Sequence, residues 1–378
     1  MNAPRLDFDA VRQRELLDGF SPEDQIIVAL LAANETPPLP SATPPDSAKI
    51  VERLLQCWQI LPSLPESIFR DWLGQFVTAE DHRRLHNARL AVTDFEKAQI
   101  AGNRGFLNSL KQHGIHHTLL KGAASACLLY PERQMRAAWD FDVGVGWNDL
   151  RDAEALALAA GFHQAQRDRD APRFYRADRR LRAIVEESHF ELGFLVRRLQ
   201  VTNLSAETKA AIKAEKWCHQ FWHDADTDKP WCYAVLDIHH KLSLDIGLDD
   251  LLLTVTSVER GGEQINVPDF AWFAAHLIFK LYWEGVHNYG KGLYQCADLV
   301  RLIPHLDEPT FDRLVNILDT YNLAAGAFYA FNHLADFGIA PPPHIARFID
   351  TARVPPNDGD PIEFNDLGDV WPKLWGRR

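Results

Sequence analysis

The segment Trp139-Asp140-Phe141-Asp142-Val143 sets two carboxylates one residue apart in an apolar run. Alternate side chains of an extended strand share a face, so Asp140 and Asp142 point one way while Phe141, Val143 and Val145 point the other. That pattern makes a poor surface strand and a good divalent-cation site. Mg2+ or Mn2+ takes oxygen ligands, and Mg2+ is typically held by one or two carboxylates together with substrate phosphates. A second apolar strand, Tyr233 to His239, carries Asp237 on the face of Val235 and His239, with Ala234, Leu236 and Ile238 opposite. A third acid on a neighbouring strand can position an attacking hydroxyl and take its proton, which is the arrangement two-metal phosphoryl transfer requires.

Phosphate binding is the other requirement. Lys121-Gly122-Ala123 follows the apolar Thr118-Leu119-Leu120 and precedes a helix expected from Ala124 to Tyr130. A glycine at a helix start lets backbone amides approach an anion. Arg136, just before the Asp pair, suits either a carboxylate or a phosphate. His239 can orient Asp237, touch substrate or sit as a hydrogen-bonded buried histidine, whereas His240 faces the other way. His276 and Lys280 share a helical face. Lys280 is a triphosphate ligand if that face meets the cleft and a surface lysine if it does not. Asp298 pairs with Lys291 or Arg136 in a structural role. His113, His116 and His117 lack a Cys or carboxylate at zinc spacing and are set aside as a metal site.

The elements that must position these groups are mostly helical. Before Gly114 the chain reads as helices: one with Leu16, Leu17 and Phe20, one entered through Ser21-Pro22, a proline-rich link from Thr36 to Pro45, a stripe of Ile50, Leu54, Leu55 and Trp58, and a long helix or helix pair over 79–112. Asn148 to Ala160 reads as a helix handed at Gly161-Phe162 to a strand. Residues 173–194 read as two strands around Phe174-Tyr175 and Ala183-Ile184-Val185. Beyond His239 the expectation is helical throughout, with helices from Phe270, over 293–303 and over 311–334, then a loose tail from Pro355.

Composition bounds the rest. The 378 residues are 46% hydrophobic and 24% charged, as in an ordinary globular protein. A net charge of −12 argues against a long nucleic acid as partner. One arginine-rich segment (Arg167, Arg169, Arg173, Arg176, Arg179, Arg180, Arg182) reads as a solvated loop or hairpin, with a phosphate-facing patch as the lesser alternative. The eleven Trp read as core and interface anchors. Five scattered Cys without a Cys-x-x-Cys spacing fit a reducing compartment, and no apolar run approaches the roughly 20 residues of a membrane span, so a cytoplasmic protein is expected.

The order of these features resembles the nucleotidyltransferase superfamily that includes DNA polymerase β and the aminoglycoside nucleotidyltransferases. It is most similar to a bacterial branch labelled "nucleotidyltransferase family protein". Leu120-Lys121-Gly122-Ala123, Arg136 before Asp140-Phe141-Asp142, Asp237-Ile238-His239, and then His276, Lys280 and Asp298 match that branch in order, over about residues 90 to 305. The resemblance implies an α+β fold: a small mixed nucleotidyltransferase sheet flanked by helices, with N-terminal and C-terminal helical regions. The expected divisions are a helical region over 1–88, a nucleotidyltransferase core over 89–245, a helical domain over 246–350 and a tail over 351–378.

It further implies that Asp140, Asp142 and Asp237 hold Mg2+ (or Mn2+) and act in catalysis. Lys121, Gly122, Ala123, Arg136 and Lys280 would bind nucleotide, with His239 and Asp298 in support. The implied reaction moves a nucleoside monophosphate from an NTP to a hydroxyl on a small molecule, peptide, protein or RNA end, releasing pyrophosphate. Two departures stand out: Ala123 replaces the usual serine, and the gap from Gly122 to Asp140 is longer than usual. They leave open a catalytically inactive nucleotide-binding relative that acts as an interaction module. A metal-dependent hydrolase using His239, His240 and the aspartates ranks last, because alternation separates the two histidines.

Overall fold

The computed structural model describes residues 21–32, 45–131, 135–167, 174–202, 204–214, 221–224, 229–243, 245–287, 293–332, 334 and 339–351. The expected helix with Leu16, Leu17 and Phe20, the link over 36–44, Arg169, Arg173, Lys291 and the tail from Pro355 lie outside them. The chain divides into two compact units. One comprises Met1–Cys57, Leu64–Asp81 and Phe270–Arg378, and the other Trp58–Ser63 and His82–Asp269. No helix among the described residues is long and apolar enough to cross a membrane.

In chain order the helices are α1 (Pro22–Ala32), α2 (Ser47–Gln56), α3 (Ala79–Gln112), α4 (Lys121–Leu128), α5 (Leu150–Ala159), α6 (Arg179–His189), α7 (Ala206–Ala214), α8 (Phe270–His287), α9 (Leu293–Leu302), α10 (Glu308–Thr320), α11 (Ala324–Asn332) and α12 (Pro343–Thr351). Every named element among the described residues of the first unit is helical. Its helices start where the sequence offers caps. The Asp46 carboxylate accepts from the amides of Ala48 at 3.0 Å and Lys49 at 3.4 Å, and Asp307 accepts from Thr310 at 3.0 Å. Helix α2 then buries Ile50, Val51, Leu54 and Leu55, the apolar stripe its spacing predicts.

The second unit holds the strands β1 (His117–Leu119), β2 (Phe141–Val145), β3 (His163–Arg167), β4 (Phe174–Arg176), β5 (Leu195–Gln200), β6 (Phe221–Asp224), β7 (Lys229–His239), β8 (Thr256–Arg260) and β9 (Glu263–Val267). Seven of them form a mixed sheet in the order β1-β2-β7-β5-β3-β4, with β6 also paired to β7. The central strand β7 runs parallel to β2 and antiparallel to β5 and β6. Helices flank this sheet, so the fold is α+β as expected.

One face of the sheet is closed by α3. The Gln99 amide donates to the carbonyl of Trp139 at 3.1 Å and its oxygen accepts from the Val235 amide at 3.0 Å, so one side chain ties the approach to β2 to the middle of β7. Gly102 allows the close approach, since a Cβ there would lie 2.5 Å from Cβ of Ala234 and 2.9 Å from Cδ1 of Leu199. On this side Ala234, Leu236 and Ile238 are fully buried. The short turn Trp58–Ser63 joins the same unit: the Trp58 ring packs edge-on against Phe95 at 5.7 Å, and the Gln59 carbonyl accepts from the Ala137 amide at 3.0 Å.

Two expectations are corrected. Residues 179–189 form α6, not a second strand around Ala183-Ile184-Val185. Arginine, leucine and glutamate favour a helix here, and the turns are tied down by ion pairs from Arg182 to Glu154 and from Arg151 to Glu186. Arg182 is therefore a structural cation rather than part of a solvated loop. Nor is the chain helical throughout beyond His239, because β8 and β9 form a hairpin. Its turn is Gly261-Gly262, with φ of 57° and 78°, a left-handed conformation open to glycine without steric cost. The Arg260 guanidinium at its tip donates to the carbonyls of Cys127 at 3.1 Å and Ala126 at 3.2 Å, and to that of Tyr130, which closes the C-terminal end of α4.

Candidate active site

Parallel pairing of β2 with β7 sets Asp142 directly opposite Asp237 and Gly144 opposite His239. Alternation carries Asp142, Asp237 and His239 to the sheet face away from α3, where they are 1%, 2% and 6% exposed. Asp140 sits in the bend just before β2, and its carboxyl lies against that of Asp142. One ligand atom each from Asp142, Asp237 and His239 lie within 4.8 Å of one another, a grouping of metal-ligand type found nowhere else among the described residues.

Two further groups complete the pocket. Lys121, the first residue of α4, places Nζ 2.5 Å from Oδ1 of Asp142 and 3.2 Å from Nε2 of His239. Glu191 pairs its backbone with His239 in an isolated antiparallel bridge, and its Oε2 lies 3.4 Å from His239 Nε2. His239 Nε2 is also 2.9 Å from Asp142 Oδ1. Lys121 has φ of 45° and Phe190, immediately before Glu191, has φ of 58°. These are the positive-φ residues other than glycine in this unit among the described residues, and each costs on the order of 1–3 kcal/mol. Backbone strain is thus concentrated where the pocket is built.

The electrostatics are unbalanced. Burial would raise the Asp142 carboxyl, but the Lys121 ammonium and His239 beside it hold it far below the usual carboxylate range. Burial and the charge of Asp142 push Asp140 up to about 8. Asp237 is raised well above its ordinary value by burial and by the charges of Glu191, Asp140 and Asp142. Burial would lower Lys121, yet Asp142, Asp140, Glu191 and Asp237 together raise it. Four carboxyls therefore share one ammonium. Asp142 Oδ2 and Asp237 Oδ1 are buried without a hydrogen-bond partner. Hard oxygen donors, two of them unpaired, in a pocket with excess acid fit a divalent cation.

The other predicted residues are placed as follows. Gly122 and Ala123 are in the first turn of α4, and the space that Gly122 leaves is filled by Arg136: a Cβ there would lie 2.5 Å from Arg136 Nη1. Arg136 is buried and donates to the Ala137 carbonyl at 2.8 Å, which makes it a brace between the α4 start and the segment leading to Asp140. His276 and Asp298 are buried and Lys280 is half-buried, on α8 and α9 of the helical unit. His240 is buried against Trp147, with ring centroids 4.8 Å apart. Glu191 has no motif around it, and its only sequence signal is its position between the charged helix α6 and β5.

From Trp139 a row of half-buried rings leads away from the acids on their side of the sheet. Trp139 is 5.3 Å from Phe194, Phe194 6.0 Å from Phe174, Phe174 4.9 Å from Tyr233, and Tyr233 4.7 Å from Trp222.

Behind the site, the Glu96 carboxylate of α3 accepts from the Ala138 amide at 3.0 Å. Burial pushes this carboxyl up to about 7 from 4.5, partly offset by the Ala138 amide and the charge of Arg136. A carboxyl whose folded pKa is raised binds its proton more tightly in the folded protein, so its contribution to stability is lost as pH climbs from about 4.5 through about 7. Glu96→Gln is expected to flatten that stretch of the stability profile by roughly 3 kcal/mol, at about 1.4 kcal/mol per pKa unit. Urea unfolding of both proteins from pH 5 to pH 8 measures it, and parallel profiles would exclude the assignment.

A family model described as "Uncharacterised nucleotidyltransferase" matches residues 51–337. No curated protein and no solved structure matches the chain significantly.

Proposed function

The chain belongs to this nucleotidyltransferase family, and we propose that it is a magnesium-dependent enzyme transferring a nucleoside monophosphate from an NTP to a hydroxyl acceptor. The observation that carries the reading is the buried convergence of Asp142, Asp237 and His239, with two carboxylate oxygens unpartnered. Asp140, Asp142 and Asp237 are the groups that would hold Mg2+ or Mn2+, and such an ion supplies charge neutralisation for the triphosphate and a more acidic acceptor hydroxyl.

The chain's own residues account for the rest. The acceptor oxygen attacks the α-phosphorus, a new P–O bond forms, the bond from that phosphorus to the bridging oxygen breaks, and pyrophosphate leaves. Asp237, which a bound cation would keep ionised despite its burial, would accept the hydroxyl proton at Oδ1, a buried oxygen with no competing donor. The first-turn amides of α4 would donate to the phosphates, and Arg136 keeps that turn against the Asp140 segment. The row of rings beginning at Trp139 and Phe194 offers the acceptor an apolar bed beside Asp237.

The test is direct. Asp140→Ala combined with Asp142→Ala is expected to abolish both the thermal stabilisation by Mg-NTP and the transfer of label from an α-labelled NTP to a cell-extract fraction. Unchanged transfer by the double variant would refute the assignment. Stabilisation by Mg-NTP without turnover in the unaltered protein would identify a nucleotide-binding relative instead.

A further inference from the structure

We propose that Lys121 is a built-in counter-ion for the acid pocket, displaced when a divalent cation is bound and thereby released to the phosphates at the first turn of α4. The inference rests on the nucleotidyltransferase reading and concerns the regulation of that same site. The ammonium is seated between Asp142 Oδ1 at 2.5 Å and His239 Nε2 at 3.2 Å, two of the three groups that make up the metal-type cluster. A cation and this ammonium therefore compete for the same two side chains, Asp142 and His239.

Three observations favour an exchangeable occupant over a plain structural ion pair. The first is backbone strain: Lys121 has φ of 45°, in the left-handed region that side chains rarely adopt. Strain of this kind persists where the surroundings over-determine it, as at ligand clamps and switches. The second is incompleteness. One ammonium leaves Asp142 Oδ2 and Asp237 Oδ1 unpartnered, so the pocket is held but not satisfied. A structural pair of this burial is normally complete, because an unpaired buried oxygen is costly. The third is access: the Lys121 side chain keeps 25% of its surface exposed while Asp142 keeps 1%, so the flexible stem has a way out and the carboxylate does not.

The consequence is a coupling between two ligands. Metal alone must displace the ammonium, and so binds more weakly than the number of acids suggests. An NTP gives the displaced ammonium a new partner, so nucleotide and metal each tighten the other's binding by the same factor. Such a pocket loads fully only when both are present.

The experiment is a titration of Mn2+ without nucleotide, read by electron paramagnetic resonance, on the unaltered protein and on Lys121→Met. The variant is expected to bind Mn2+ at least tenfold more tightly, and to have a lower Tm than the unaltered protein when both are metal-free. A second measurement uses the unaltered chain alone: an amine-reactive ester with peptide mass mapping, with and without Mn2+. Labelling of Lys121 is expected to rise several-fold with Mn2+, while that of Lys97, 61% exposed, stays constant. Equal or weaker Mn2+ affinity in the variant, with transfer intact in the unaltered protein, overturns the inference and spares the reading beneath it. If the variant does not fold, unchanged Lys121 labelling at saturating Mn2+ overturns it. Failure of both proteins to bind Mn2+ at all overturns the inference and the magnesium-dependent reading together.

Discussion

Asp237→Asn is expected to lower turnover by about 10²–10⁴-fold, the usual contribution of a positioned general base, and at the same time to make the metal-free protein more stable. The two effects have one origin. Asp237 is buried beside Glu191, Asp140 and Asp142, and burial with those charges raises its carboxyl well above the ordinary value. A raised carboxyl detracts from stability as pH rises above its unfolded value, and an amide cannot ionise. The stability gain should therefore be absent in acid and grow toward alkaline pH. A relief of about 1 kcal/mol corresponds to a rise in Tm of roughly 2–4 °C for a unit of this size. Thermal scans from pH 4 to pH 9 alongside steady-state kinetics check both halves. A variant that is slower but no more stable at high pH would show that the four carboxyls are not crowding one another.

The second large effect concerns the packing of α3 on the sheet, tested by one substitution at two positions. Gly105→Ala on the exposed side of α3 meets nothing within 4 Å, and should stabilise by up to about 1 kcal/mol through helix propensity. Gly102→Ala, one turn earlier, gains the same propensity but drives a Cβ to 2.5 Å from Cβ of Ala234. Real Cβ atoms do not approach so closely, so helix and sheet must separate, and overpacking of this kind costs about 1–3 kcal/mol. Opposite signs are expected in urea unfolding, with Gly102→Ala also losing activity because Val235, two residues before Asp237, is hydrogen-bonded to Gln99 of the same helix. Equal effects at the two positions would mean that α3 rides the sheet loosely.

What could be read from residues alone follows from where the constraints are local. Alternation sets Asp142 opposite in facing to Phe141 and Val143, and Asp237 opposite in facing to Leu236 and Ile238, while the parallel β2–β7 register is what brings the two acids side by side on one face. The helical stripe of α2 and the boundaries of α5 are likewise local matters of spacing and glycine placement. Glu191 is different: it reaches the pocket through a bridge to His239, a residue 48 positions later, after a strained Phe190. No spacing rule connects them. The engagement of Lys121 with Asp142 is also non-local, since the same Lys-Gly pair suits phosphate or carboxylate equally. The filling of the Gly122 space by Arg136 inverts an ordinary inference, because a small residue at a helix start can make room for the protein itself. By contrast, the β8–β9 hairpin was legible in Gly261-Gly262 with alternating Thr256, Val258, Ile265 and Val267 around it, and the helical expectation overlooked that turn chemistry.

The turn Trp58–Ser63 has a practical consequence for anyone wishing to express the sheet-bearing unit by itself. A fragment begun at residue 89 would discard the Gln59 carbonyl that receives the Ala137 amide, and the indole that lies against Phe95. The segment leading into the first pair of acids would keep its bonds to Glu96 and Gln99 but lose the one that fixes Ala137. Excision that respects this anchorage has to start upstream of Trp58 and carry Leu64–Asp81 along as passenger, although those residues belong to the other unit.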